Sequence, residues 1–507
     1  MRREILIDCA TPETRIALLE DDVLTEVFVE RPSGRGITGN IYKGRVGNVL
    51  PGMQAAFVDI GTGRDAFLHV QDLEPPAGDA ELLETGAAGD PMPDGVGAPP
   101  AHGRIEDRLK AGQELLVQVS KDPVPEKGAR LTSLVSFPGR LLVYLPNHPQ
   151  IGISRRIEDP TERERLQGLI QGVARDLGLP GGFIVRTAGE GRAIGEFVPE
   201  ALTLAATWDD VRRRAEGAQS PSLLHQESSA VTKVLRDVLG EDVQRIVVEG
   251  DAALREVQEL VSRIEPALGS RIHGHAGPEP LFEARGVQHH LERALRSRVW
   301  LKSGGSIVIQ STEALVAVDV NTGKYTGTRR LEETILRTNL EAAVEIVRQI
   351  RLRDLGGIIV IDFIDMETQA SKDEVLLALQ SEMRRDRAKS RVLQISEFGL
   401  VEITRQRTKR SLERLLCLPC PTCSGSGRLK SPETIVYEIL REVRRLGRLE
   451  AATRVVARVH PEVASFLEEE RPGLIDPEAF PARTRLEFEA DAALRHGQFT
   501  LTLKEAD

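Results

Sequence analysis

A chain of 507 residues, 40% hydrophobic and 28% charged, has the material for several folded domains, and no stretch approaches the ~18 apolar residues of a membrane span. A net charge of −10 gives no general attraction for nucleic acid, so such a partner must be met by local basic patches or by cations held on carboxylates. Four cysteines, three of them between 417 and 423, make no disulfide framework, and the opening MRREILIDCATPETR lacks a signal-peptide core; both point to a reducing cytoplasm.

Residues 1–35 alternate like paired strands (REILID, TRIALLE, LTEVFVE) but are too few to make a core, so they are expected to join a later segment. From Gly36, short β-rich runs punctuated by glycine predict a small barrel, which QELLVQVSK (113–121) resumes after a Pro/Gly/acidic stretch starting at 74. Residues 129–220 mix strands (GRLLVYLP, GGFIVRT) with helices at 161–177 and 198–217. Residues 221–292 read as α/β, with a helix near 230–239 and the strand QRIVVEG as a partner for the N-terminal strands.

Beyond 293 the strands SIVIQST and ALVAVDV precede an amphipathic helix, 331–353, with Leu336, Leu340, Val344 and Val347 on one stripe and Gly356-Gly357 at its end. IIVIDFIDM (358–366) reads as a strand buried on both faces and interrupted by Asp362 and Asp365. SKDE at 371–374 has the capping-box pattern that starts a further helix. After the cysteines comes a small domain with a helix at 432–447 and strands in RTRLEFEADA and GQFTLTL.

A strand–helix–strand crossover makes the two strands parallel, so Asp319 and Asp362 end on one edge of the sheet, where ligands of α/β sheets bind. Asn321 lies two residues after Asp319 and faces the same way. Two neighbouring carboxylates repel, and a hard divalent cation such as Mg²⁺ resolves the repulsion. The alternatives are a salt bridge from Asp362 to a buried Arg or Lys and a turn cap at Asp365. DVNTGKY is not a P-loop, because Val318 stands where a glycine is needed and Tyr325 follows the lysine.

In the barrel, Tyr42, Phe57 and Phe67 lie among Lys43, Arg45, Arg64 and His69, and Lys121 closes QELLVQVSK. Aromatics on a small barrel stack single-stranded bases while cations follow phosphates; the competing reading places the phenylalanines in the core. Cys417, Cys420 and Cys423 have x₂ spacings that suit zinc better than an iron–sulfur cluster, and two chains giving two cysteines each would close a four-ligand site. Cys9 is isolated and reads as a small buried hydrophobe.

GNIYKGRVGNVLPGMQAAFVDIG, GGFIVRTAGEG, LKSGGSIVI, TEALVAVDVNTGKYTG, TNLEAA, QIRLRDLGGIIVIDFIDM and CPTCSGSG, in this order, resemble the ribonuclease E/G family over nearly the whole chain. The resemblance implies a multidomain α/β and α+β protein. Its parts would be a ribonuclease H-like domain from 1–35 with 221–292, and an S1/OB-type barrel at 36–130 carrying an acidic loop, 74–108. A 5′-sensor domain would follow at 131–220, a deoxyribonuclease I-like catalytic domain at 293–415, a zinc-link at 416–430 and a small C-terminal domain at 431–507.

By the same resemblance Asp319 and Asp362 bind Mg²⁺ with Asn321 in support, Arg186 and Thr187 hold a 5′-monophosphate, and Phe57 and Phe67 contact RNA with Tyr42, Lys43 and Lys121. Cys420 and Cys423 would share Zn²⁺ between protomers of a homodimer or homotetramer, with Cys417 extra to the pair. The implied activity is cleavage of single-stranded, A/U-rich RNA to 5′-phosphate and 3′-hydroxyl ends, in ribosomal RNA maturation and messenger RNA decay, without a long scaffold tail. A non-catalytic S1-domain RNA-binding protein and a metal-dependent phosphatase are the alternatives.

Overall fold

The computed structural model describes residues 2–32, 36–73, 103–123, 127–240, 242–323, 331–396, 399–407, 410–446, 453–470 and 485–505. The chain divides into Met1–Leu412 and Glu413–Asp507. Most of the acidic stretch, 74–102, lies outside the described residues. Its last part is not loop: Ile105–Arg108 is a helical turn whose Ile105 is buried in the barrel core.

In the first unit the strands Arg3–Asp8, Thr14–Glu20 and Val23–Glu30 are antiparallel neighbours, and Arg3–Asp8 also runs parallel to Val243–Glu249. Ile5, Ile7 and Ile16 pack on Leu235, Val257 and Val261 of the helices Ala230–Val238 and Asp251–Ile264. This shared core gives the short N-terminal strands the burial they lack alone.

A closed five-stranded barrel follows. Ile41–Leu50 pairs with both Ala55–Asp59 and Glu114–Lys121, and Ala66–His69 and Arg130–Thr132 complete the ring. A four-stranded sheet (Phe137–Pro138, Leu142–Leu145, Ile151–Ile153, Gly182–Val185) is backed by the helices Pro160–Asp176 and Ile194–Gly217. The strand Ser222–His225, grouped by the sequence reading with 221–292, pairs with the barrel strand at Ile41–Lys43 instead. The reason is Leu224, which packs with Ile41, Phe137 and Trp208 rather than with the N-terminal sheet.

The six-stranded sheet has the order Arg298–Trp300, Ser306–Ser311, Leu315–Asn321, Gly357–Asp362, Leu400–Arg405, Ser390–Ile395. Only the central pair, Leu315–Asn321 with Gly357–Asp362, is parallel, joined by the helix Leu331–Arg353. That helix and Gln369–Met383 cover one face, where Val316, Val318, Val320, Ile359 and Ile361 are buried with Ala342, Ala343, Ile346 and Ile350.

Four local expectations change. Ile358 is 50% exposed, so the strand is buried on one face rather than two. Val344 is 48% exposed; the inward stripe of the helix runs through Thr338, Asn339, Ala342, Ala343, Ile346 and Ile350. The second helix is capped by Thr368, whose hydroxyl accepts the Ser371 N–H at 3.2 Å, and not by Ser371, which sits buried in its first turn. The long helix ends at Asp354, in the left-handed region at φ 48, before either glycine.

That Asp354 is held by Arg405. The Arg405 guanidinium bonds Asp386 at 2.6 Å, Asp354 at 2.7 Å and the Leu355 carbonyl at 2.9 Å, all buried, tying the fifth strand to the ends of both helices. The Arg405 charge is held on more firmly than usual: burial opposes it, but the bonds to Asp386 and Asp354 outweigh that effect. In the second unit, Thr453–Val459 lies between parallel Arg485–Ala490 and antiparallel Phe499–Glu505, with the helix Pro432–Leu446 packed on them through Ile435, Val436, Ile439 and Val443. No helix among the described residues is long and apolar enough to cross a membrane.

Removing one partner of a buried ion cluster leaves a charge uncompensated. Asp386→Ala is therefore expected to cost about 3–5 kcal/mol, read as a fall in the urea midpoint of the first unit's unfolding transition.

Candidate active site

The parallel register sets Asp319 directly opposite Asp362, and both side chains are exposed on the face away from the helices. Asn321, on the same face, donates its side-chain amide to Asp319 Oδ2 at 2.6 Å. Among the described residues neither aspartate is ion-paired, so the salt-bridge alternative has no counterpart there. Nor do the carboxylates carry the burial penalty that a two-faced strand would impose, since both stand in water. Two hard oxygen donors side by side, with one oxygen already fixed by an amide, suit a cation of the Mg²⁺ type. Asp365 is exposed beyond the strand end, in the loop that faces Gly399.

Sequence reasoning missed the residues that hold this edge in place. Asn339, fully buried on the long helix, donates to the Ile364 carbonyl at 2.8 Å and accepts the Ile364 N–H at 3.2 Å, fixing the turn that follows Asp362. Two helical turns are not needed to see it: an amide on the inward stripe of an apolar helix was the available signal. On the outer side of the same helix, Glu341 accepts the backbone N–H of Ser303 at 2.9 Å and that of Lys302. The loop so held passes against the end of the Asp319 strand, where a side chain at Gly323 would meet the Gly304 carbonyl at 2.2 Å and one at Gly305 the Asn321 carbonyl at 2.8 Å.

Arg186 and Thr187 follow the strand Gly182–Val185. Arg186 Nη1 bonds the Gly139 carbonyl at 2.7 Å and Asp237 at 2.8 Å, while Nη2 and Nε carry no bond among the described residues. The Thr187 hydroxyl lies 3.1 Å from that of Ser154.

On the barrel, Phe57 and Phe67 are half-buried and point outward, with Ala56, Val58, Ala66 and Leu68 beneath them in the core. Their rings meet edge to face at 6.1 Å, and Phe67 stacks on His69 at 6.3 Å. Burial lowers the His69 pKa, and its Nδ1 accepts the Gln71 N–H; both favour the neutral ring. Register continues the row Phe57, Phe67, Arg130, Lys121 across four strands, aromatics at one end and cations at the other. Two expected contacts are absent from it. Tyr42 is only 6% exposed and belongs to the barrel core, and Lys43 is spent on the carbonyls of Ala215 and Ala218 and on Glu114. Lys43 thus caps the end of a helix, a use its sequence neighbours did not reveal.

Cys417 and Cys420 are exposed and Cys423 is half-buried. Backbone N–H groups of Cys423 and Thr422 bring the Cys420 thiol down to about 7, and the Gly427 N–H donates to Cys423 Sγ at 3.3 Å. Such N–H···S bonds favour thiolates, the form that binds zinc. Among the described residues the one trio of His, Cys or carboxylate side chains with ligand atoms within 4.8 Å of one another is elsewhere, at His460, Glu462 and His496. There His496 Nε2 lies 2.6 Å from a Glu462 carboxylate oxygen.

Residues 136–408 match the ribonuclease E/G family, and residues 419–503 match the thioredoxin-like domain of ribonucleases E and G. The chain is 41% identical to ribonuclease G of Escherichia coli (strain K12) over 485 residues, 95% of each chain. It is 41% identical to ribonuclease G of Haemophilus influenzae over 473 residues, 93% of each chain. The chain belongs to the ribonuclease E/G family. It is an endoribonuclease, of mixed α/β build, with an OB-like barrel and the family's thioredoxin-like domain at its C-terminal end. Ribonuclease E of Escherichia coli (strain K12) is 37% identical over 477 residues, but those residues are 93% of this chain and only 43% of that longer protein.

Asn339 bonds the backbone that follows Asp362. Asn339→Ala is expected to lower kcat for an RNA oligonucleotide by about tenfold while leaving KM nearly unchanged, because it frees two buried backbone groups that set the edge geometry.

Proposed function

We propose that the chain is a Mg²⁺-dependent, single-strand-specific endoribonuclease that favours A/U-rich RNA bearing a 5′-monophosphate. The observation that carries the reading is the direct pairing of Asp319 with Asp362 on an exposed sheet face. Asn321 fixes Oδ2 of Asp319, which leaves Oδ1 and the Asp362 carboxylate to hold the cation. A bound Mg²⁺ supplies an acidified water and charge stabilisation at the phosphate. In the hydrolysis, the water oxygen bonds to phosphorus, the P–O3′ bond breaks and the 3′-oxygen takes up a proton, giving 5′-phosphate and 3′-hydroxyl ends.

Arg186, whose Nη2 and Nε are left over from its bonds to Gly139 and Asp237, would offer a fork to a terminal phosphate, and the Thr187 hydroxyl a further donor. Phe57, Phe67 and Lys121 would clamp the strand, with Arg130 between them held by Asp72 at 2.8 Å. Cys420 and Cys423 would give two of four thiolates to a zinc ion shared with a second copy, making a homodimer or homotetramer. Ribosomal RNA precursors and messenger RNA in the cytoplasm are the substrates this reading implies.

The test is cleavage of a 5′-monophosphorylated, A/U-rich oligonucleotide with Mg²⁺. Asp319→Asn and Asp362→Asn are each expected to slow it about a thousandfold, several kcal/mol of transition-state stabilisation; wild-type rates in either would remove the assignment. Phe67→Ala is expected to weaken binding about tenfold, measured by fluorescence anisotropy without divalent cation. Cys420→Ser should lose bound zinc by elemental analysis and lower the mass seen by light scattering.

A further inference from the structure

The face that carries the aspartates continues over two more strands. Register aligns Arg298, Val308, Asp319 and Asp362 in one row, and Trp300, Ser306 and Asn321 in the next. Between Arg298 and Trp300, Val299 points the other way into the core, so both flanking side chains share the aspartates' face. Trp300 is 61% exposed, whereas the chain's other tryptophan, Trp208, is 7% exposed. The Arg298 guanidinium lies 5.7 Å from the Trp300 ring centroid.

A tryptophan is the costliest side chain to leave in water, and burying one stabilises a fold by a few kcal/mol. Val299 and Leu301, on either side of it in sequence, are both buried, so the chain here has a core to turn toward. Strand spacing and rise put Trp300 roughly 10 Å across and 7 Å along the sheet from Asp319, within reach of a strand whose phosphate sits at the aspartates. The carboxylates repel the rest of that strand, and Arg298 is a cation in their own row on the same face. An indole with a guanidinium over it is a base-stacking platform with a phosphate contact attached.

We propose that Trp300 stacks a base of the RNA within a few nucleotides of the cut, with Arg298 on a neighbouring phosphate. The claim rests on the reading of Asp319 and Asp362 as the cleavage site, and names a base subsite on the catalytic sheet itself, separate from the barrel.

The test uses full-length protein, an A/U-rich oligonucleotide, and a series in which each nucleotide around the wild-type cut is replaced in turn by an abasic one. Binding is measured with Mg²⁺ on oligonucleotides carrying a non-hydrolysable 3′-methylenephosphonate at the cut, so that it does not depend on cleavage. In wild type, one abasic position is expected to weaken binding about tenfold; in Trp300→Ala the same replacement should change nothing further, and Trp300→Phe should restore most of the sensitivity. A profile in Trp300→Ala that matches wild type would overturn the proposal. So would a fall in oligomer mass in Trp300→Ala, which would make this face a contact between copies of the chain. Failure of the cleavage reading is seen separately, as undiminished cutting by Asp319→Asn and Asp362→Asn with the abasic profile intact.

Discussion

One parallel strand pair in an otherwise antiparallel sheet sets the geometry of the catalytic region. Parallel neighbours cannot be joined by a hairpin, so the chain must cross over the sheet, and the helix Leu331–Arg353 is that crossover. Because both strands then run the same way, their ends share an edge and Asp319 stands opposite Asp362. The same helix secures the edge it creates. Asn339 on its inward side fixes the turn after Asp362, and Glu341 one helical step later fixes the loop against the Asp319 strand. Below, Arg351 bonds Glu20 and Glu26 of the N-terminal strands, so the crossover is also anchored to a second sheet.

The pairing of the two strand ends was legible in the sequence because crossover topology leaves little choice: a helix of this length between two apolar runs forces them parallel. What the sequence did not carry was how many faces of the sheet are covered. Ile358 to Ile361 look the same in a strand buried on both faces and in one buried on a single face, and only the placement of both helices on one side exposes Ile358. The helical stripe was misplaced at Val344 for a related reason. Ala342, Ala343 and Asn339 are the inward residues, and neither small nor polar side chains register as core in a reading by hydrophobicity.

Contacts across long sequence separations were illegible in principle. Lys43 reaches carbonyls at 215 and 218, and Arg186 reaches Asp237, partners that no local pattern marks. The barrel aromatics were ambiguous for the opposite reason: Phe57 and Phe67 alternate with Ala56, Val58, Ala66 and Leu68, so one of the two faces had to be the core, and composition alone does not say which. Here the core lies on the Ala56, Val58, Ala66 and Leu68 side, and Tyr42 from the neighbouring strand fills it as well.

The exposure of the two aspartates bears on how a negatively charged chain handles a negatively charged polymer. A buried carboxylate pair would hold a cation tightly with or without substrate, because leaving it unpaired would be costly. An exposed pair, with water available to every oxygen, has no such penalty and binds Mg²⁺ weakly by itself. On the proposed reading, phosphate oxygens would supply the remaining ligands, and cation and RNA would each raise the other's affinity by the same factor. The net charge of −10 then works for selectivity. It keeps polyanions off the surface at large, and on the proposed reading attraction would be confined to the sheet face holding a cation and to the aromatic and basic side chains that a single flexible strand can follow.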